Sequence, residues 1–122
     1  MLLGQFQAAG YENLLLSRIT HAELMTLALR KKSGKITVET VRRFSGLLGF
    51  ADVGAPVWDL FSLIKARLLS TGTPLGDSGN LDILQAGIAI TRGLVLVTHN
   101  RTHFEAIQKV LPFPLEDWAR EA

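Results

Sequence analysis

An apolar helix with an acid in its first turn, running through a glycine stop into an apolar strand, leaves a chain few folds to choose from. Asn80 to Asn100 is such a stretch. Asn80 reads as the helix cap and Asp82 as a first-turn acid, while Ile83, Leu84, Ala86, Ile88, Ala89 and Ile90 place apolar side chains nearly all round. A helix of that kind is buried. Its end is expected at Arg92, with Gly93 at the C′ position. Leu94 to Val97 is uniformly apolar and reads as a strand buried on both faces. Thr98, His99 and Asn100 close that strand, and Asn100 reads as the cap of a further helix through about Lys109. Open parallel sheets place their chemistry at the carboxyl ends of strands, which makes Asp82, Thr98 and Asn100 candidates.

The rest of the chain supplies partners for this stretch. Gln5 to Ala9 reads as a short helical piece ended by Gly10. Asn13 to Thr20 opens with a continuous apolar run and is expected to form a strand. Thr20, His21, Ala22 and Glu23 match a capping box, opening a helix that ends near Lys32, before Ser33 and Gly34. Thr37 caps a second helix whose apolar face is Val38, Val41, Phe44, Leu47 and Leu48, stopped by Gly49. Ala51 to Val57 reads as a short strand, kept modest by Gly54 and Pro56. Trp58 to Ser70 is expected to be a helix burying Leu60, Phe61, Ile64, Leu68 and Leu69. Residues 71 to 79 form a loop by composition, and Leu115 to Trp118 a short edge strand. Helices alternating with short apolar strands predict a three-layer α/β domain with a mostly parallel sheet, residues 1–122 forming one domain. The strands number two good and two marginal, short of the usual four or five.

At 122 residues the chain is long enough to bury roughly two-thirds of its unfolded surface. No apolar run reaches the roughly 18 residues that span a bilayer, and Met1 to Phe6 has no basic leader region. No cysteine is present, which excludes disulfides, thiolate ligands and thiol nucleophiles. A cytoplasmic protein fits these features. The net charge is only +2, but Arg30, Lys31, Lys32, Lys35, Arg42 and Arg43 cluster, opposed within that span by Glu39 alone. Such a patch can neutralise nucleic-acid phosphates; equally, it can be a solvated helix end with dipole-favoured cations.

Three oxygen-bearing side chains have the chemistry of a hard-cation site. Glu23 follows a strand on the first helical turn, where it serves either as a ligand or as half of a capping box. Asp82 has the same two readings, except that a carboxylate at the mouth of a buried helix is costly unless paired or cation-bound. Asn100 is a ligand or a cap, and the Thr98 hydroxyl can hold a carboxylate or a water. His99 and His103 lie four apart, but the residues between them supply no catalytic Glu, so they read as surface residues or at best phosphate contacts. Glycine-rich phosphate loops, a nucleophile elbow and an aromatic stacking platform are absent.

Ser17 to Leu24, Leu81 to Ala89, Gly93 to Asn100 with Phe104, and Leu115 to Trp118 together resemble successive blocks of the PIN-domain family, from about Asn13 onward. The nearest subgroup is the VapC-type ribonuclease toxins of toxin–antitoxin pairs. The resemblance implies a PIN-like α/β sandwich and Mg2+- or Mn2+-dependent cleavage of RNA. It also implies metal ligation by Glu23, Asp82 and Asn100, support from Thr98, and an antitoxin protein as possible partner. PIN domains open on a strand ending in Asp-Thr-Asn or similar, which supplies the first metal-binding Asp. Nothing from Met1 to Asn13 resembles that block, and no Asp precedes Asp52. The chain therefore reads as a PIN domain without its first strand, with impaired catalysis and an open sheet edge that favours a homodimer or higher oligomer. The alternative is a catalytically inactive PIN-like module that binds RNA or protein; a third reading is an unrelated α/β domain whose acids are only caps.

Overall fold

The computed structural model describes residues 8–30 and 36–118. They fall into two compact units, one ending at Asp52 and the other beginning at Val53. Most of the short helix expected over residues 5–9 lies outside the described residues.

In the first unit a single 3-10 turn, Tyr11–Asn13, leads into strand β1 (Leu15–Ser17), helix α1 (Arg18–Leu29), helix α2 (Val38–Leu47) and strand β2 (Gly49–Ala51). The expected strand over Asn13 to Thr20 is cut to three residues because the helix starts earlier than Thr20. Ser17 Oγ accepts the Thr20 backbone N–H at 3.0 Å, so Ser17 is the cap and Thr20 the third helical residue. The box expected from Thr20 to Glu23 does not open the helix, and Glu23 falls in the second turn. Helix α1 ends at Leu29, before the expected Lys32.

Thr37 caps α2 as expected, in a reciprocal capping box with Thr40: the Thr40 N–H donates to Thr37 Oγ1 at 3.1 Å and the Thr37 N–H to Thr40 Oγ1 at 2.8 Å. Val41 is buried on this helix, whereas Leu47, expected inside, is exposed. Gly49 does follow the helix end but as the first residue of β2, so the strand expected from Ala51 lies two residues earlier. β1 and β2 pair in parallel, with Leu16 opposite Phe50. Phe50 carries the Arg18 guanidinium 3.8 Å from its ring centroid and meets His21 edge-on at 5.2 Å, while Arg18 ion-pairs with Asp52 at 2.7 Å.

The second unit runs α3 (Ala55–Ser70), α4 (Gly79–Arg92), β3 (Leu96–Val97), α5 (Thr102–Val110) and β4 (Leu115–Glu116). Helix α3 begins three residues before the expected Trp58, because Pro56 in a first turn gives up an N–H that would have no helical partner anyway. Its core face is Val57, Ile64 and Leu68, with Leu60 and Phe61 partly buried; Leu69, expected in the stripe, is exposed. Ile64, Leu68, Ile83, Ala86, Phe104, Ile107 and Phe113 form the unit's core cluster. Helix α4 approaches α3 closely at Gly87, where a Cβ would lie 3.0 Å from Val57 Cγ1. It ends as expected at Arg92, with Gly93 left-handed at φ 64° and ψ 41°.

Strand β3 is shorter and less enclosed than expected. It pairs in parallel with β4, Leu96 opposite Leu115, but Val95 and Val97 are 46% and 38% exposed. A run that is apolar throughout therefore buries one side only. Among the described residues, the strands are two or three residues long and form two parallel pairs, β1–β2 and β3–β4. The mixed α/β architecture with short parallel strands agrees with the expected fold class. No helix among the described residues is long and apolar enough to cross a membrane.

Ile107 is fully buried, so Ile107→Ala should lower unfolding free energy in urea by about 2–5 kcal/mol. Thr37→Ala removes one half of a capping box and should cost about 1 kcal/mol by the same measurement.

Candidate functional site

The carboxyl end of β3 and the first turns of α4 and α5 hold the candidate residues of the second unit. Helix α4 begins at Gly79 after Ser78, one residue before the expected cap, and no side chain caps it. Asn80 is thereby freed for another role, and its Oδ1 accepts a hydrogen bond from Lys65 Nζ. Asp82 remains in the first turn, as expected, where a carboxylate interacts favourably with the helix dipole. It is the one acid of α4, on a helix that buries Ile83, Leu84, Ala86, Ile88 and Ala89.

Asp82 is partnered. His103 Nδ1 lies 2.7 Å from Asp82 Oδ2, with side-chain exposures of 25% and 16%. Oδ1 of Asp82 makes no hydrogen bond among the described residues. The reading of His103 as a surface residue or phosphate contact is corrected by this geometry: the imidazole is mostly buried and spent on the carboxylate. His103 is the second residue of α5, and its neighbour Phe104 is buried in the core cluster, which fixes the backbone that carries it.

A second His–carboxylate pair lies nearby in sequence. His99 Nδ1 sits 3.1 Å from both carboxylate oxygens of Asp117, whose side chain is 3% exposed while that of His99 is 74% exposed. His99 is at the surface, as expected, but its ring is held by a buried acid. Asp117 follows β4, and Trp118 Nε1 donates to Glu116 Oε1 at 2.8 Å.

Asn100 does not cap α5. The helix begins at Thr102 after Arg101, without a side-chain cap, and the Asn100 backbone N–H instead donates to Thr98 Oγ1 at 3.2 Å. Thr98 thus orders the turn that displays Asn100, and its own N–H continues the sheet by donating to Glu116 O at 3.0 Å. The exposed Asn100 side chain is left without a capping duty. Arg101 Nε is buried without a hydrogen-bond partner among the described residues.

Glu23, in the first unit, has an exposed side chain on the second turn of α1. Of the basic cluster, Lys31, Lys32 and Lys35 lie outside the described residues. Arg30 follows α1, and Arg42 and Arg43 are exposed on α2, with Arg43 ion-paired to Glu39 at 2.6 Å. Among the described residues, no three His, Asp or Glu side chains gather as a ready metal cluster. The donors that are present, a carboxylate oxygen and an amide, are of the hard type that Mg2+ and Mn2+ take, and Mg2+ keeps several of its own waters.

No sequence pattern pointed to the pairing of His103 with Asp82 or of His99 with Asp117. His103 and Asp82 are 21 residues apart, on two helices that only tertiary packing brings together, and the His99–His103 spacing was informative only for a zinc helix.

No family model matches the sequence. Over 103 residues the chain is 33% identical to the tRNA(fMet)-specific endonuclease VapC of Salmonella typhimurium, a match spanning 84% of this chain and 74% of that protein. Among solved structures it is similar to the DNA-bound VapBC of Salmonella typhimurium, with a TM-score of 0.80 and 29% identity over 96% of this chain and 83% of that one. Two further neighbours support the fold alone. VapBC2 of Rickettsia felis, bound to a promoter DNA fragment, has a TM-score of 0.78 at 24% identity, covering 95% of this chain and 84% of that one. VapBC-1 of nontypeable Haemophilus influenzae has a TM-score of 0.77 at 22% identity, covering 97% and 85%. An acid-bearing apolar helix, a Thr-ordered strand end and an identity sustained over most of both chains have one common explanation: this chain belongs to the VapC family of PIN-domain toxins.

Proposed function

We propose that this chain is an endoribonuclease toxin that cleaves RNA with Mg2+ or Mn2+ and is restrained by an antitoxin protein. The observation that carries the reading is Asp82: a lone acid at the mouth of a buried apolar helix, with one carboxylate oxygen spent on His103 and the other open. Burying a carboxylate this way is costly without a cation or donor to offset it. Asp82 and Asn100 are the ligands proposed from the second unit, with Thr98 ordering the turn that presents Asn100. Glu23 is proposed as a further carboxylate ligand on the strength of the family resemblance. A bound divalent ion would activate water and offset charge on the scissile phosphate. The protein's part is to hold the ligands and position the strand of RNA, for which Arg30, Lys31, Lys32, Lys35, Arg42 and Arg43 are the proposed phosphate contacts. The Salmonella relative's specificity makes initiator tRNA the first RNA to assay.

A second reading is favoured by the lack of a three-residue acidic cluster among the described residues: a non-cleaving module that binds RNA or an antitoxin. Cleavage assays separate the two. The proposed nuclease should cut RNA only with Mg2+ or Mn2+ and lose that activity in Asp82→Asn and in Glu23→Gln. RNA binding without any cleavage at millimolar Mn2+ would establish the module instead. By calorimetry, Asp82→Asn should weaken Mn2+ binding more than Thr98→Ala, because only the former removes a formal charge; equal affinities would refute that order.

We also propose self-association. Val95 and Val97 leave apolar side chains exposed beside a two-stranded sheet, and sheet edges flanked by exposed apolar side chains recruit further strands. Light scattering should therefore show a dimer or larger species, and a monodisperse monomer would overturn this.

A further inference from the structure

Asp82 is presented by the first turn of α4 and His103 by the first turn of α5. The two helices are locked together one residue further on, where Ile83 and Phe104 both enter the core cluster. The carboxylate and imidazole therefore hang from backbones with little freedom to move apart. Their 2.7 Å contact is the short, charge-assisted kind. An aspartate carboxylate otherwise rotates broadly about its last torsion, so without a partner its open oxygen would point in many directions.

Resting on the metal reading of Asp82 above, we propose that His103 is a positioning residue. It holds Asp82 Oδ2 through its Nδ1–H, so that Oδ1 is aimed at the divalent cation. Lys or Arg in this place would set a permanent positive charge beside the cation, whereas an imidazole can donate the same hydrogen bond without one. Hydrogen bonds that fix a ligating carboxylate are commonly worth 10–100-fold in metal affinity. The assignment gives His103 a role toward the metal without making it a ligand, and explains why a mostly buried imidazole is spent on an acid at the mouth of α4.

The test is Mn2+ titration of the whole chain by calorimetry, with melting temperatures recorded in the absence of metal. His103→Ala removes the donor and should weaken Mn2+ binding about 10–100-fold. His103→Asn returns an N–H donor at the position of Nδ1 and should restore affinity to within a few-fold of the native chain. Metal-free melting temperatures record the structural cost separately: both variants lose imidazole packing, and His103→Ala also leaves Asp82 without its donor, so His103→Asn should melt between His103→Ala and the native chain. Should His103→Ala fail to fold, His103→Gln takes its place: it keeps polar bulk but carries its amide one bond too far, and should bind Mn2+ as weakly as expected for Ala. Unchanged Mn2+ affinity in the donor-less variant overturns the proposal, as does equal weakness of the Ala and Asn variants. Asp82→Asn separates the two layers. Native Mn2+ affinity in that variant would overturn the metal reading itself, whereas weak binding there with native affinity in His103→Ala would overturn the positioning role alone.

Discussion

A carboxylate at the mouth of an apolar helix is the constraint around which the second unit is built. Helix α4 buries five of its side chains and Gly79 and Gly87 besides, and any helix so apolar has to be covered on several sides. Helix α3 covers one side at the close approach of Gly87 to Val57, and α5 another through Phe104 and Ile107. The same packing that hides Ile83 brings His103 to Asp82. Hydrophobic burial and the partnering of the one acid on α4 are thus a single arrangement: α5 cannot be moved to loosen one without losing the other. The left-handed Gly93 then turns the chain directly into β3, so that the strand end with Thr98 and Asn100 follows from where α4 stops.

The first unit relies more on local devices. Its buried apolar residues among those described are small in number and mostly small in size: Leu16, Ala28, Val41 and Ala51. Two side-chain caps, Ser17 on α1 and the Thr37–Thr40 box on α2, satisfy helix-end donors that packing leaves to water. Arg18 adds a three-way contact by lying over Phe50 and pairing with Asp52, and His21 meets the same ring edge-on. Both members of the Arg18–Asp52 pair are well exposed, so the aromatic contact is the more persistent part.

Family membership and the site geometry carry different loads. Identity to a VapC endonuclease over most of both chains places the protein in its family, and similarity to VapBC structures supports the short-stranded α/β fold. Neither says how the acids of this chain are held. That comes from His103 on Asp82, His99 on Asp117, and the Thr98 hydroxyl under the Asn100 N–H. After β3, His99 and His103 are each held against a carboxylate, and Thr98 orders the turn at Asn100.

Composition and periodicity were enough to determine the alternation of helices and short strands, the burial of α4, its stop at Gly93, the Thr37 cap and the placement of Asp82 in a first turn. These depend on neighbours within four residues, where side-chain spacing and backbone preference act directly. They were not enough for helix starts, because several residues competed to cap: Ser17 won over Thr20, Ser78 preceded Asn80, and Arg101 preceded Thr102 in place of Asn100. Nor could an apolar run reveal how many of its faces would be covered, as the exposure of Val95, Val97, Leu47 and Leu69 shows; coverage depends on what packs there, not on the residue itself. The partners of the acids were decided by tertiary structure alone. His103 and Asp82 are 21 positions apart and His99 and Asp117 are 18 apart, distances over which a chain has no periodicity to read, and only the packing of α5 against α4 and the pairing of β3 with β4 bring each imidazole to its carboxylate.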